Sequence, residues 1–231
     1  MWQRLRKEYW PLILGLLLLL LLRIPNFFEP YWYGDEGIYL ALGNALRQGR
    51  LLYAEIIDHK TPLIYYLAMV PHQFWFRALN VVWMLVSTVF FWDIMRRFIE
   101  KQWLRFGTLL GFVLLTTLPW FEGHIPNGEL FVMGFVLAGL WLVLQTRSFK
   151  RLLAGEQLPK LNSIFSLREG GLLLAGGFFF GLGVLTKIPG LLDLIGILAI
   201  FWMSLVRRIA VSKELFKPDA IWKLLLRHVS A

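Results

Sequence analysis

The stretch over residues 33–67 carries the chain's most concentrated reactive chemistry. It holds the acids Asp35, Glu36, Glu55 and Asp58, together with His59 and Lys60, in a sequence that is 58% hydrophobic. A carboxylate can take a proton from an attacking group. An ammonium group beside the first amides of a helix makes a site suited to a phosphate. So many charges between apolar runs exceed what membrane anchoring needs, and they point to chemistry at a membrane surface.

The elements that must position these residues are apolar runs over residues 10–28, 74–95, 104–121, 128–145, 170–185 and 188–206. Most approach the length that crosses a bilayer. A spanning segment must satisfy its own backbone hydrogen bonds, so the expected fold is an all-α integral membrane protein with about six transmembrane helices. Residues 1–231 are read as one domain, with residues 29–73 as its outer loop. The first run is followed by Arg23-Ile24-Pro25-Asn26 and no small-residue cleavage site, which marks an uncleaved anchor. The absence of cysteine excludes disulfides and thiolate metal sites.

Charge orients the runs. With the N-terminus inside, 18 of the 24 basic residues fall on the cytoplasmic side, leaving Arg23, Arg47, Arg50, Lys60, Arg77 and Lys187 outside. The acids of the loop, Glu122, Glu129 and Asp193 lean outward. The net charge of +9 is spread between apolar runs and forms no single patch, which argues against a nucleic-acid partner. The predicted setting is a multi-pass protein in a lipid bilayer with its polar chemistry on the exoplasmic face.

Within the loop, Ile38, Ala41, Leu42, Ala45 and Leu46 share one helical face, with Gly43, Asn44 and Arg47 opposite and Gly49 as a stop. That predicts a short amphipathic helix lying at the membrane interface. Asp35 stands at its start, where it serves equally well as a helix cap. Pro62 predicts a second juxtamembrane helix, with Lys60 at its N-terminus. A lysine snorkelling to the membrane surface accounts for the same position. Gly177 and Gly181 form a small-xxx-small pair suited to close helix packing. Residues 219–229 read as a short amphipathic segment.

The pattern Asp35-Glu36-x-x-Tyr39, a short helix ending in Gly49, then Asp58-His59-Lys60-Thr61-Pro62-Leu63, resembles the GT-C glycosyltransferases. The likeness is to the branch holding bacterial aminoarabinose transferase and the protein O-mannosyltransferases. Glu122-Gly123-His124-Ile125-Pro126-Asn127-Gly128-Glu129 and Gly181-Leu182-Gly183-Val184-Leu185-Thr186-Lys187 resemble two further stretches of that family. Thr61 stands where the family usually has proline, and His59 where some members have Glu. The resemblance implies further spans after residue 231, so the chain is expected to be the N-terminal half of a longer protein.

It also implies an activity: transfer of a sugar, with inversion, from a polyprenyl-phosphate donor to an acceptor hydroxyl on a protein, lipid or glycan. Asp35 is then the expected catalytic base, Glu36 the second choice, and Glu129 a further site acid. Lys60 and Lys187 are the cations expected at the leaving phosphate. Tyr39, Asp58, His59, Glu122 and Asn127 complete the expected substrate-binding set. The histidines and nearby acids could hold a divalent metal, but none has dedicated ligand spacing, so no metal or other cofactor is expected to be obligatory. The rival readings are a transporter or flippase for lipid-linked anions and an inactive membrane fragment. A transporter would require polar groups near mid-membrane.

Overall fold

The computed structural model describes residues 2–30, 34–154 and 166–211. Among the described residues the chain is helical, with one isolated bridge pairing Leu52 and Ile56 as its only extended pairing. In chain order the α-helices are α1 (Trp2–Arg23), α2 (Gly34–Arg47), α3 (Leu63–Leu67), α4 (Gln73–Met95), α5 (Gln102–Leu115), α6 (Gly128–Gln145), α7 (Arg147–Ala154), α8 (Leu167–Thr186) and α9 (Gly190–Val211). Four helices are long and apolar enough to cross a membrane: Glu8–Phe27, which includes the 3₁₀ turn after α1, Gln73–Met95, Gly128–Gln145 and Leu167–Thr186. Shorter apolar helices, Gln102–Leu115 and Gly190–Ile200, lie where the other two spans are expected. This is an all-α membrane protein. The segment over residues 219–229 lies outside the described residues.

The run expected over 104–121 ends as a helix at Leu115. Pro119 then opens a 3₁₀ turn, Pro119–Phe121, and Glu122 adopts a left-handed conformation at φ 54°. Proline has no amide hydrogen to continue the ladder, which stops the helix here. Its 14 residues reach about 21 Å, short of the hydrocarbon thickness.

Helix α6 packs most closely on α8 and next on α4, while α1 lies against α5. The small residues in the main contact differ from those expected. Gly177 and Gly181 meet nothing, whereas a Cβ on Gly139 of α6 would stand 2.9 Å from the Gly176 carbonyl oxygen of α8. Gly176, Phe180 and Gly183, spaced four and three apart, form the buried stripe of α8. One glycine earlier in sequence sets the contact face. Backbones can approach only where no side chain intervenes.

The two ends of the bundle are tied differently. At one end Asp93 accepts from Arg96 and Arg97, and its Oδ2 also accepts from the Trp141 indole at 2.8 Å. The buried Glu169 there accepts the Arg147 amide at 2.9 Å, supplying the start of α7 with an acceptor. At the other end lie α2, α3, the loop over residues 48–62 and the turn over 116–127, which together build the site.

Candidate functional site

Helix α2 brings Asp35 and Glu36 into its first turn, with Asp35 as the second helical residue and not at the cap position expected for it. Acids there face the unpaired amides and positive end of the helix. The stripe buried within the protein is Glu36, Tyr39 and Gly43; of the apolar face drawn from the sequence, Leu42 and Leu46 pack against the core while Ile38 and Ala41 are exposed. Gly43 is required at the crossing: a Cβ there would stand 2.3 Å from the Ala68 carbonyl oxygen just after α3. The polar assignment of Gly43 therefore fails, because backbone proximity to α3 decides its place.

Asp35 and Lys60 meet. The Lys60 ammonium lies 2.5 Å from Asp35 Oδ2, with Lys60 8% and Asp35 25% exposed. The buried Tyr39 hydroxyl donates to the same oxygen at 3.1 Å. Its ring lies under the ammonium, 4.6 Å from ring centre to Nζ, where the π face attracts a cation.

The loop holds Lys60 from behind. Tyr53, at φ 65°, donates its hydroxyl to the Lys60 carbonyl oxygen at 2.5 Å. Tyr65 donates to Asp58 Oδ2 at 2.7 Å, and the His59 amide and ring both approach Asp58 Oδ1. Partial burial pushes the Asp58 carboxyl up, but the bonds from Tyr65 and His59 outweigh it and hold it below the ordinary carboxylate range. Burial and the Asp58 charge push the Tyr65 phenol up. Asp58 therefore braces the loop. His59 is 83% exposed and turned towards Asp58, so Asp35 and Tyr39, not His59, orient Lys60. The juxtamembrane helix expected after Lys60 is only the five residues of α3, with Pro62 at its cap.

Glu36 departs from its expected role as second base. It is fully buried, and both its oxygens are bound to Arg77, at 2.7 Å from Nε and 2.8 Å from Nη2. Gln73 donates to it as well, at 3.2 Å. With its lone pairs committed in a dry setting, Glu36 anchors α2 to α4 and is not placed to take a proton from a substrate.

Arg77 also binds the carbonyl oxygens of Asn26 and Glu29. Beside it, Arg23 donates to Asn80 Oδ1 at 2.8 Å and to the carbonyl oxygens of Thr116 and Gly123, each at 2.7 Å. His124 is buried against Glu29, with its Nε2 3.4 Å from that carboxylate. Burial holds the His124 imidazole below its usual value; Glu29 opposes this, while Arg23 and Arg77 add to it. This network escaped the sequence reading, which treated Arg23 and Arg77 only as markers of orientation. The available signal was Asn80, a polar residue one helical turn after Arg77 inside an apolar run.

A second carboxylate–ammonium pair joins Glu129 and Lys187. Asn127 caps α6, its Oδ1 accepting the Glu129 amide at 2.8 Å, and its Nδ2 donates to Glu122 at 3.4 Å. Asn127 is thus engaged in the helix cap, and Glu122 is held against it. The pairs are neighbours across Gly128, whose added Cβ would stand 3.4 Å from the Tyr39 hydroxyl and 3.3 Å from Lys187 Cδ. Beyond Lys187, a cavity of about 220 Å³ is lined by Glu129, Lys187 and Asp193 together with apolar residues of α6. Asp193 is exposed there, not buried against a cation as its position in an apolar run suggests.

Among the described residues, no three His, Cys, Asp or Glu side chains converge as metal ligands. The arrangement offers a partly exposed carboxylate, an exchangeable ammonium and a second ion pair within one side chain's reach. No protein-family model matches this chain, and no curated protein or solved structure matches it either.

Proposed function

We propose that the chain is the membrane-embedded part of a glycosyltransferase that moves a sugar from a polyprenyl-phosphate donor to an acceptor hydroxyl at the exoplasmic face. The observation that carries this reading is the Asp35–Lys60 contact over the Tyr39 ring. A phosphate arriving at Lys60 competes with Asp35 for the ammonium. Exchange of partners then frees the carboxylate while the Tyr39 hydroxyl keeps it in place.

The acceptor oxygen attacks the anomeric carbon from the face opposite the phosphate and gives its proton to Asp35. The carbon–oxygen bond to the phosphate breaks, and its electron pair leaves on the phosphate, where Lys60 stabilises the charge. The configuration inverts. Lys187 holds Glu129 on the far side of Tyr39. The exoplasmic assignment rests on charge: Arg96, Arg97, Arg105 and Arg147 gather at the end opposite the site.

The test uses the intact protein reconstituted with labelled polyprenyl-phosphate sugars. Asp35→Asn loses sugar transfer by at least about 100-fold, the scale of a general base, while inserting and unfolding like the wild type. Wild-type turnover in that variant removes Asp35 from the mechanism.

A further inference from the structure

The cavity beside Lys187 has a polar rim and an apolar wall, and the two are arranged in order. Glu129, Val132, Val136 and Leu137 lie on one face of α6 and line it. From Glu129 to Leu137 the wall runs about 12 Å along the helix. Pro189 and Asp193, one turn apart on the neighbouring segment, close the other side. At about 220 Å³ the space is below the range of sites that enclose a whole drug-sized ligand. Its shape suits one aliphatic chain with its head left at the rim.

The rim charge then selects the head. Glu129 and Lys187 neutralise each other, and Lys187 is the more covered partner, 22% against 56% exposed. The exposed Asp193 adds a second open carboxylate. An anionic head would face two carboxylates and an ammonium already engaged. A cationic head would meet both acids.

We propose that this cavity binds one alkyl chain of an amphiphile whose head carries an ammonium group, with Asp193 and Glu129 as its counter-charges. The site is separate from the Asp35–Lys60 pair and does not depend on sugar transfer.

Photolabelling of the full chain in non-ionic detergent tests it. The probes are a diazirine-bearing long-chain alkylammonium and the chain-matched alkyl phosphate. The ammonium probe labels α6 between residues 129 and 137 at least about fivefold more than the phosphate, the factor one carboxylate–ammonium contact supplies in water. Leu137→Trp, which fills the wall, removes the labelling. Asp193→Asn, which leaves the wall intact, brings the ammonium signal close to that of the phosphate. Equal labelling by the two probes, preference for the phosphate, or labelling that survives both substitutions overturns the proposal. Because the readout is occupancy of α6, its failure is distinguishable from a failure of the transferase reading, which is scored by turnover.

Discussion

Asp35 and Glu36 are adjacent carboxylates in the first turn of one helix, and their surroundings are opposite. Glu36 faces inward to an arginine whose planar fork fills both its oxygens, in a setting closed to solvent. Asp35 is partly exposed, and a lysine and a tyrosine hydroxyl share one of its oxygens. Arginine presents fixed, directional donors, whereas lysine is a compact charge on a flexible stem that can change partners. Rigidity therefore lies on the inward side of α2, and exchangeable chemistry on the outward side. In the proposed transferase, the placement of Asp35 depends on a neighbour that takes no part in the reaction.

Arg77→Met breaks that division most severely. It leaves Glu36 buried without its counter-charge and releases the Asn26 and Glu29 carbonyls. Loss of one partner from such a buried pair costs about 3–5 kcal/mol. The variant is expected to unfold at a much lower temperature in detergent and to lose transfer as a consequence. An unfolding midpoint like the wild type's would show that the inward network is not what fixes α2.

Gly43→Ala attacks the same side by a different route. The new Cβ would press on the backbone at Ala68, which cannot rotate away. Overpacking of this kind costs about 1–3 kcal/mol. The strain tilts α2, so stability and transfer fall together. A variant with lowered stability but unaltered transfer would separate the crossing from the position of Asp35.

The sequence makes the outward chemistry easier to read than the inward scaffold. Asp35 and Lys60 lie in a short loop pattern whose residue types carry meaning locally, and the structure brings them together. The apolar runs likewise mark the four long spans to within a few residues, because a membrane-length apolar run is a long signal, whereas the run over 104–121 overshoots its helix, which ends at Leu115. The Glu36–Arg77 and Arg23–Asn80 bonds join residues 41 and 57 positions apart, which no local pattern encodes. The Gly176–Gly139 crossing was missed for a related reason. Gly176 and Gly177 are equivalent by composition, and only the rotation of α8 against α6 chooses between them.

Tyr39→Phe and Lys60→Met probe the outward side alone. Removing the Tyr39 hydroxyl gives up one bond to Asp35, worth about 1 kcal/mol. The ring stays beneath Lys60, so binding of a polyprenyl phosphate should hold while turnover falls. Lys60→Met costs less stability than Arg77→Met, because Asp35, the partner left behind, keeps partial access to water. It should instead weaken binding of the polyprenyl phosphate, measured on the folded variant. Unchanged affinity would remove Lys60 from the phosphate site. If Lys60→Met destabilised the protein as much as Arg77→Met, the contrast between the two carboxylates would collapse.

The smallest effect concerns the brace behind Lys60. Asp58 has a lowered carboxyl pKa because the bonds from Tyr65 and His59 outweigh partial burial. A carboxylate depressed on folding adds stability that is present above its unfolded value of about 3.9 and disappears as pH falls through the lower folded value. The contribution is on the order of 1 kcal/mol, the scale of one hydrogen bond, for a carboxylate that keeps partial access to water. Carbon NMR of the Asp58 carboxyl should therefore show titration below the ordinary range, with the loop over residues 51–60 loosening only under acid conditions. Tyr65→Phe removes the strongest of the favourable bonds, so the titration moves up towards the ordinary value and loosening begins at higher pH. Because Tyr53 joins this loop to the Lys60 backbone, the same variant should blunt Lys60-dependent binding in mild acid while leaving the Glu36–Arg77 side intact. Titration that ignores the Tyr65 substitution would mean that the loop is held by other contacts and that Lys60 is positioned from the Asp35 side alone.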